Sequence, residues 1–249
     1  MSYLSQVKTS RRASPRRTVI YGPHGLGKST WACSWPDPIA LPTEDGLSHI
    51  DVPSFPLAES VDDVGGPLLE LQNSEHEFKT LVLDSADWLE QLIWKQVCQA
   101  DGKKCMSDFA YGKGHSMATA KFRWYLQSLD TLRKQGMHIV ITAHSVITRF
   151  EDPAGLSYDR YSPKLHRDAS ALLQEWADEV LFVNLKTFTK TQDEGFGRER
   201  AIGIGTGQRV LYTQETPAYL AKNRLGLPTE LPLDFSSYLP FLNGDDSNG

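Results

Sequence analysis

Residues Gly22-Pro23-His24-Gly25-Leu26-Gly27-Lys28-Ser29 spell G-x-x-x-x-G-K-[ST] between two short segments of different character. Thr18-Val19-Ile20-Tyr21 before them is a run of β-branched and aromatic residues. Thr30-Trp31-Ala32-Cys33 after them reads as the first turns of a helix. Strand, glycine-rich turn and helix form the context in which this octapeptide closes around phosphate. The glycines let backbone N–H groups point inward, and the helix N-terminus adds partial positive charge. Residues 22–30, Thr30 included, are therefore the candidate cradle for a nucleoside triphosphate. Lys28 is placed to reach the β- and γ-phosphates, and the Ser29 hydroxyl to ligate Mg²⁺.

The rest of the chain continues the alternation of strand and helix. A second apolar run, Pro38 to Leu41, ends at Thr43-Glu44-Asp45-Gly46, and a Pro-rich connection leads to a helix through Leu68 and Leu71. Thr80-Leu81-Val82-Leu83 is continuously apolar, as a strand covered on both faces requires, and it ends at Asp84-Ser85. Asp87 to Gln99 reads as an amphipathic helix, residues 101–115 as irregular, and Ser116 as the N-cap of a long helix ending at Gly136. Phe122, Leu126, Leu129 and Leu132 fall at helical spacing on that helix and are core. Ile139 to Thr142 is another buried strand running into Ala143-His144-Ser145, followed by a loop of about twenty residues. A helix over Ala169 to Trp176, a strand over Glu179 to Val183 and hairpin strands over Asn184–Lys190, Arg200–Ile204 and Val210–Thr213 complete the chain. This order predicts an α/β fold: a doubly wound, mostly parallel sheet with an antiparallel C-terminal extension. Residues 17–243 read as one domain, between an arm (1–16) and a polar tail (244–249).

Composition narrows the class. At 249 residues with 40% hydrophobic content, one α/β domain with a sizeable core is sufficient. No apolar run approaches membrane-spanning length and the start lacks a signal peptide's apolar stretch, which predicts a cytoplasmic protein. Cys33, Cys98 and Cys105 are odd in number and lack C-x-x-C spacing, so reduced thiols without a zinc site are expected, even with His115 nearby. The net charge of −5 argues against a surface that is basic throughout. Lys8, Arg11, Arg12, Arg16 and Arg17 nevertheless stand together without an acid, which suits either a nucleic-acid contact or a solvated tail.

Three residues at strand ends complete the candidate site. Asp84 ends a buried strand where P-loop proteins place the acid that holds Mg²⁺, and ligands gather at the carboxyl ends of strands in such sheets. Ser85 follows, where many P-loop ATPases carry a glutamate, so the group that activates water must come from elsewhere. Glu44 is the candidate, on the expectation that its strand lies near the P-loop strand. His144, ending the next strand, is a candidate contact to the γ-phosphate.

Taken in order, Gly22–Thr30, Thr43-Glu44-Asp45-Gly46, Leu81-Val82-Leu83-Asp84-Ser85, Tyr111-Gly112-Lys113-Gly114, Thr142-Ala143-His144-Ser145 and Ala221-Lys222-Asn223-Arg224 resemble the phage-encoded RecA-like ATPases, including the phage single-strand-annealing group. The resemblance covers about residues 17–235. It implies a RecA core, ATP with Mg²⁺, action on single-stranded DNA, and ATP held between subunits of a homo-oligomer. In that family a glutamate after the second strand activates water, which matches Glu44, and a polar residue ending the strand after the metal aspartate senses the γ-phosphate, which matches His144. Lys222 and Arg224 are similar to the Lys-x-Arg pair that RecA-like hexameric helicases present to a neighbour's nucleotide. RecA-like proteins hold DNA with two loops. The corresponding stretches here carry Lys103, Lys104, Phe109, Tyr111 and Lys113, then Arg149, Phe150, Tyr158, Arg160, Tyr161, Lys164 and Arg167. Cations interleaved with aromatics suit phosphates and stacked bases.

The resulting expectation is a Mg-ATP-dependent ATPase acting on single-stranded DNA in phage recombination, annealing or replication, with a single-strand-binding protein as a further candidate partner. A helicase or helicase loader is one alternative, and a nucleotide-dependent binding module with little hydrolysis is another. A GTPase is disfavoured because Asn-Lys-x-Asp is absent, and no acceptor site for a small-molecule kinase is legible.

Overall fold

The structure, a computed structural model, describes residues 14–153, 155–193 and 199–243. In chain order these form β1 (Arg17–Gly22), α1 (Lys28–Ala32), β2 (Pro38–Pro42), α2 (Asp62–Asn73), β3 (Thr80–Asp84) and α3 (Ala86–Ala100). Two 3₁₀ turns then lead to α4 (Lys113–Lys134), β4 (His138–Phe150), β5 (Tyr158–Pro163) and α5 (Arg167–Trp176). The chain closes with β6 (Glu179–Asp193), β7 (Glu199–Tyr212), β8 (Glu230–Pro232) and α6 (Phe235–Asn243). The sheet runs β2-β3-β4-β1-β6-β7-β8, with β5 paired to the outer half of β4. Pairing is parallel from β2 through β6 and antiparallel beyond it, the mostly parallel α/β sheet with an antiparallel extension that the alternation predicts.

Successive side chains of a strand point to opposite faces, and the core divides on that rule. Val19, Tyr21, Leu81, Leu83, Ile139 and Ile141 pack under α2, α3, α4 and α5 on one face. Ile20, Val82, Val140 and Leu181 pack on the other face against Trp31, Trp35 and Tyr238. Both faces of the central strands are thus covered, which is why they read as unbroken apolar runs.

Four expectations change. The stretch after His144 is not a twenty-residue loop: β4 continues to Phe150 and pairs antiparallel with β5 from Ser145↔Pro163 to Phe150↔Tyr158. Ser116 is not the N-cap of α4. The helix starts at Lys113, and its N-cap is Gly112 at φ 69°, a left-handed conformation that costs glycine little. The strand at Glu179 and the first hairpin arm are one continuous strand, β6. Arg17 is not part of a solvated tail: it opens β1 with its guanidinium 2.9 Å from Asp178 and 3.3 Å from Asp130. Lys8, Arg11, Arg12 and the 244–249 tail lie outside the described residues.

Candidate nucleotide site

From β1 the chain crosses to β2 at one edge of the parallel set, whereas from β4 it passes to β6 on the other side of β1. The crevice at the carboxyl ends of β1 and β4 is therefore the switch point where open α/β sheets bind ligands. Register places Gly22 opposite His144 across it. Gly22 has no room for a side chain, since a Cβ there would lie 2.3 Å from the Val183 carbonyl oxygen. The loop passes Gly27 at φ 93° and enters α1, which is only five residues long. Any grip on phosphate therefore rests on the loop's own N–H groups and Lys28 more than on a helix dipole.

Lys28 is buried, and its ammonium donates to the Pro23 carbonyl at 2.9 Å. Burial pulls its pKa below the usual lysine value, while the carboxylates of Asp84, Glu44 and Asp87 act the other way. Asp84 is 1% exposed. One of its oxygens accepts from the Thr142 hydroxyl, and Oδ2 is buried without a partner. An orphaned, buried carboxylate oxygen is a hard donor of the kind a divalent cation takes. Asp84 and Ser29 are the residues that would hold Mg²⁺.

Glu44 arrives by a route the sequence does not suggest. β2 lies at the sheet edge, three places from β1, so its strand is not beside the P-loop strand. The turn after β2 instead folds back onto the end of β3. Thr43 N–H donates to the Asp84 carbonyl at 2.7 Å, the Thr43 hydroxyl donates to the Ser85 carbonyl at 2.7 Å, and Ser85 N–H donates to the Thr43 hydroxyl at 2.8 Å. Glu44 consequently reaches 3.8 Å from Nδ1 of His144. Burial raises its pKa, opposed by His144 and Lys28 and supported by Asp84 and Asp87.

His144 is held by Asp87, a residue that sequence reasoning passes over. Asp87 accepts from the His144 backbone N–H at 3.0 Å and from Nδ1 at 2.9 Å. That hydrogen bond is the main reason the His144 pKa rises, against the effect of its burial. For Asp87, burial opposes ionisation, and the His144 hydrogen bonds outweigh it to hold the pKa low. Nδ1–H is committed to Asp87, which leaves Nε2 for a ligand. Asp87 could have been anticipated, since it stands in the first turn of α3, three residues after Asp84. A cavity of about 350 Å³ is bordered by Lys28, Ser29, Thr30, Glu44, His144 and Arg209. Arg209, far along the chain on a strand without a motif, gives no such signal.

The remaining candidates lie elsewhere. Lys222 is not a free finger: its ammonium closes the C-terminus of α5, bonded to the carbonyls of Gln174, Glu175 and Ala177 at 2.8, 3.1 and 2.6 Å. Arg224 stays half exposed, 3.4 Å from Asp178 at the amino end of β6 and thus remote from its own P-loop. Of the DNA candidates, Lys103, Lys104, Tyr111 and Lys113 are exposed before and at the start of α4. Arg149 is exposed on β4 and Lys164 after β5. Arg160 is not free, being over the Phe150 ring at 4.1 Å and 3.2 Å from Glu215, and Tyr161 stacks on Phe182 at 5.0 Å. His115 of α4 stacks on His166 at 4.2 Å, which joins the two candidate segments. Among the described residues no group of three or more His, Cys, Asp or Glu side chains is placed to hold a metal ion, and no helix is long and apolar enough to cross a membrane.

A search of curated proteins finds no match. A family model for an AAA domain matches residues 14–225, a span that holds β1 with its P-loop, Glu44, Asp84, Asp87, His144 and Arg209. On that match and this geometry, the chain belongs to the AAA-domain family of P-loop ATPases.

Proposed function

We propose that the chain is a Mg²⁺-dependent ATPase that works on single-stranded DNA as an oligomer, in recombination, annealing or replication of phage type. The observation that carries the reading is His144. The middle of β4 brings it to the nucleotide cavity beside Glu44, and the same strand runs on without a break into the β4–β5 hairpin. The hairpin exposes Arg149 and Ile147, and through the His115–His166 stack it adjoins the segment bearing Lys103, Lys104 and a fully exposed Tyr111. An exposed aromatic flanked by cations is what base stacking on a single strand requires.

In this reading the loop N–H groups and Lys28 bind the triphosphate tail, and Ser29 and Asp84 hold the metal. Mg²⁺, when bound, neutralises charge that develops on the phosphate oxygens. Glu44, its proton affinity raised by burial, accepts a proton from the attacking water. His144 hydrogen-bonds the γ-phosphate through Nε2, and Arg224 serves a neighbour's site.

The experiment is ATP hydrolysis with and without single-stranded DNA, using Lys28→Ala as the blank. Stimulation by DNA that fades with added salt is expected, and Glu44→Gln should lower kcat about 10²–10⁴-fold with ATP binding retained. Hydrolysis indifferent to DNA would remove the DNA part of the reading and leave the ATPase.

A further inference from the structure

The nucleotide cavity has a second cation on its wall. Arg209 stands on β7 in register with Leu185 of β6, and its guanidinium reaches over the glycine-rich loop. One N–H donates to the Leu26 carbonyl at 3.2 Å. The same nitrogen lies 2.8 Å from where a Cβ on Gly27 would sit, so the missing side chain of Gly27 is the space the guanidinium uses. Among the described residues no carboxylate pairs with Arg209. The acids of the cavity gather instead around Lys28 and His144.

A guanidinium carries five N–H donors and stays charged at every accessible pH. A single bond to one neutral carbonyl leaves most of that capacity unused. Phosphate oxygens are its strongest natural partners, because they accept two parallel N–H bonds and carry charge. The guanidinium also rests on the backbone of Leu26-Gly27, immediately before Lys28, where a phosphate tail held by this loop has to pass.

The geometry points to Arg209 as a contact, made in cis, to the phosphate tail of the bound nucleotide, its fork transferring from the Leu26 carbonyl to phosphate oxygens. The inference rests on the reading of this cavity as a nucleotide site. It is independent of Arg224, since Arg209 needs no neighbouring subunit.

The test is equilibrium binding of MgATP and of inorganic tripolyphosphate to the full chain and to Arg209→Ala, Arg209→Lys and Lys28→Ala variants. Arg209→Ala should lose about tenfold or more in affinity for both ligands, with Arg209→Lys recovering part of it because the charge remains. Unchanged affinity in Arg209→Ala overturns the assignment. A loss for MgATP alone also overturns it, since that would place the contact on the base or sugar. A lysine variant as weak as the alanine one, with melting temperature lowered before any ligand is added, would make Arg209 a strut of the loop and overturn it too. If Arg209→Ala does not fold, Arg209→Gln serves in its place. If the unaltered chain binds neither ligand, the nucleotide reading itself falls, an outcome distinct from the failure of Arg209 alone.

Discussion

Because Asp87 accepts from both the backbone N–H and the ring Nδ1 of His144, the imidazole is fixed in one orientation and favours its charged form. Glu44, 3.8 Å away, adds to that preference. A histidine whose folded pKa is raised stabilises the fold fully below its ordinary value near 6.5. That contribution is lost as pH rises through the higher folded value. Asp87→Asn removes the cause. The expected outcome is a His144 pKa that falls back towards ordinary histidine, read by NMR titration of the ring. A stability loss of about 1–3 kcal/mol should accompany it at pH 6, shrinking as pH increases because the native pair itself weakens there. A His144 titration unmoved by Asp87→Asn would show that another group sets its charge. Glu90, just below on α3, also titrates unusually: burial lifts its pKa to about 7, although its carboxylate accepts from the His166 N–H at 3.0 Å.

At the scale of elements, the parallel strands were legible because double burial leaves only apolar residues in them. Leu81-Val82-Leu83 and Ile139-Val140-Ile141 are instances. The outer half of β4 was not, because Val146-Ile147-Thr148-Arg149-Phe150, although rich in β-branched and aromatic residues, lies beyond the helical layers and lacks the double burial that marks the central strands. Its local residues permit a strand, and the antiparallel pairing with β5 completes it. Glu44 is a candidate from its motif on an expectation of strand adjacency that the structure does not give. Its proximity to His144 comes from Thr43 bonding Asp84 and Ser85, a tertiary contact that is invisible in sequence order. For Lys222 the sequence is ambiguous because a cap and a finger use the same residue type, and in the structure its ammonium closes the open carbonyls at the end of α5. Lys222→Met should therefore lower stability by about 1–2 kcal/mol, a fall of about 2–8 °C in melting temperature for a domain of this size. Hydrolysis per folded molecule should be unchanged. Collapse of hydrolysis with an unaltered melting temperature would return Lys222 to the nucleotide of a neighbour.

For the molecule as a whole, the two ends of the sheet carry different chemistry. The carboxyl ends hold the cavity. The amino ends carry a network of Arg17, Asp130, Arg133, Asp178 and Arg224. If Arg224 serves a neighbour's nucleotide, the contact joins unlike surfaces, and repetition of such a contact gives a ring or an open filament. Arg224→Ala and Lys28→Ala subunits should each be inactive alone and regain hydrolysis when mixed, because each supplies what the other lacks. Mixed oligomers without recovered hydrolysis would confine Arg224 to its pairing with Asp178.

The family-matched span stops at residue 225, but the folding unit does not. Tyr238 of α6 is wholly buried, its hydroxyl donates to the carboxyl of Glu179 at the start of β6, and its ring meets Trp31 and Trp35 edge-on or tilted at 5.2 and 5.4 Å. Trp31 belongs to α1, the helix that carries Lys28 and Ser29. The last helix thus works as a backplate on the phosphate loop's own support. The boundary that defines the family by sequence and the residue that lets its loop hold shape are thus thirteen positions apart, from residue 225 to Tyr238.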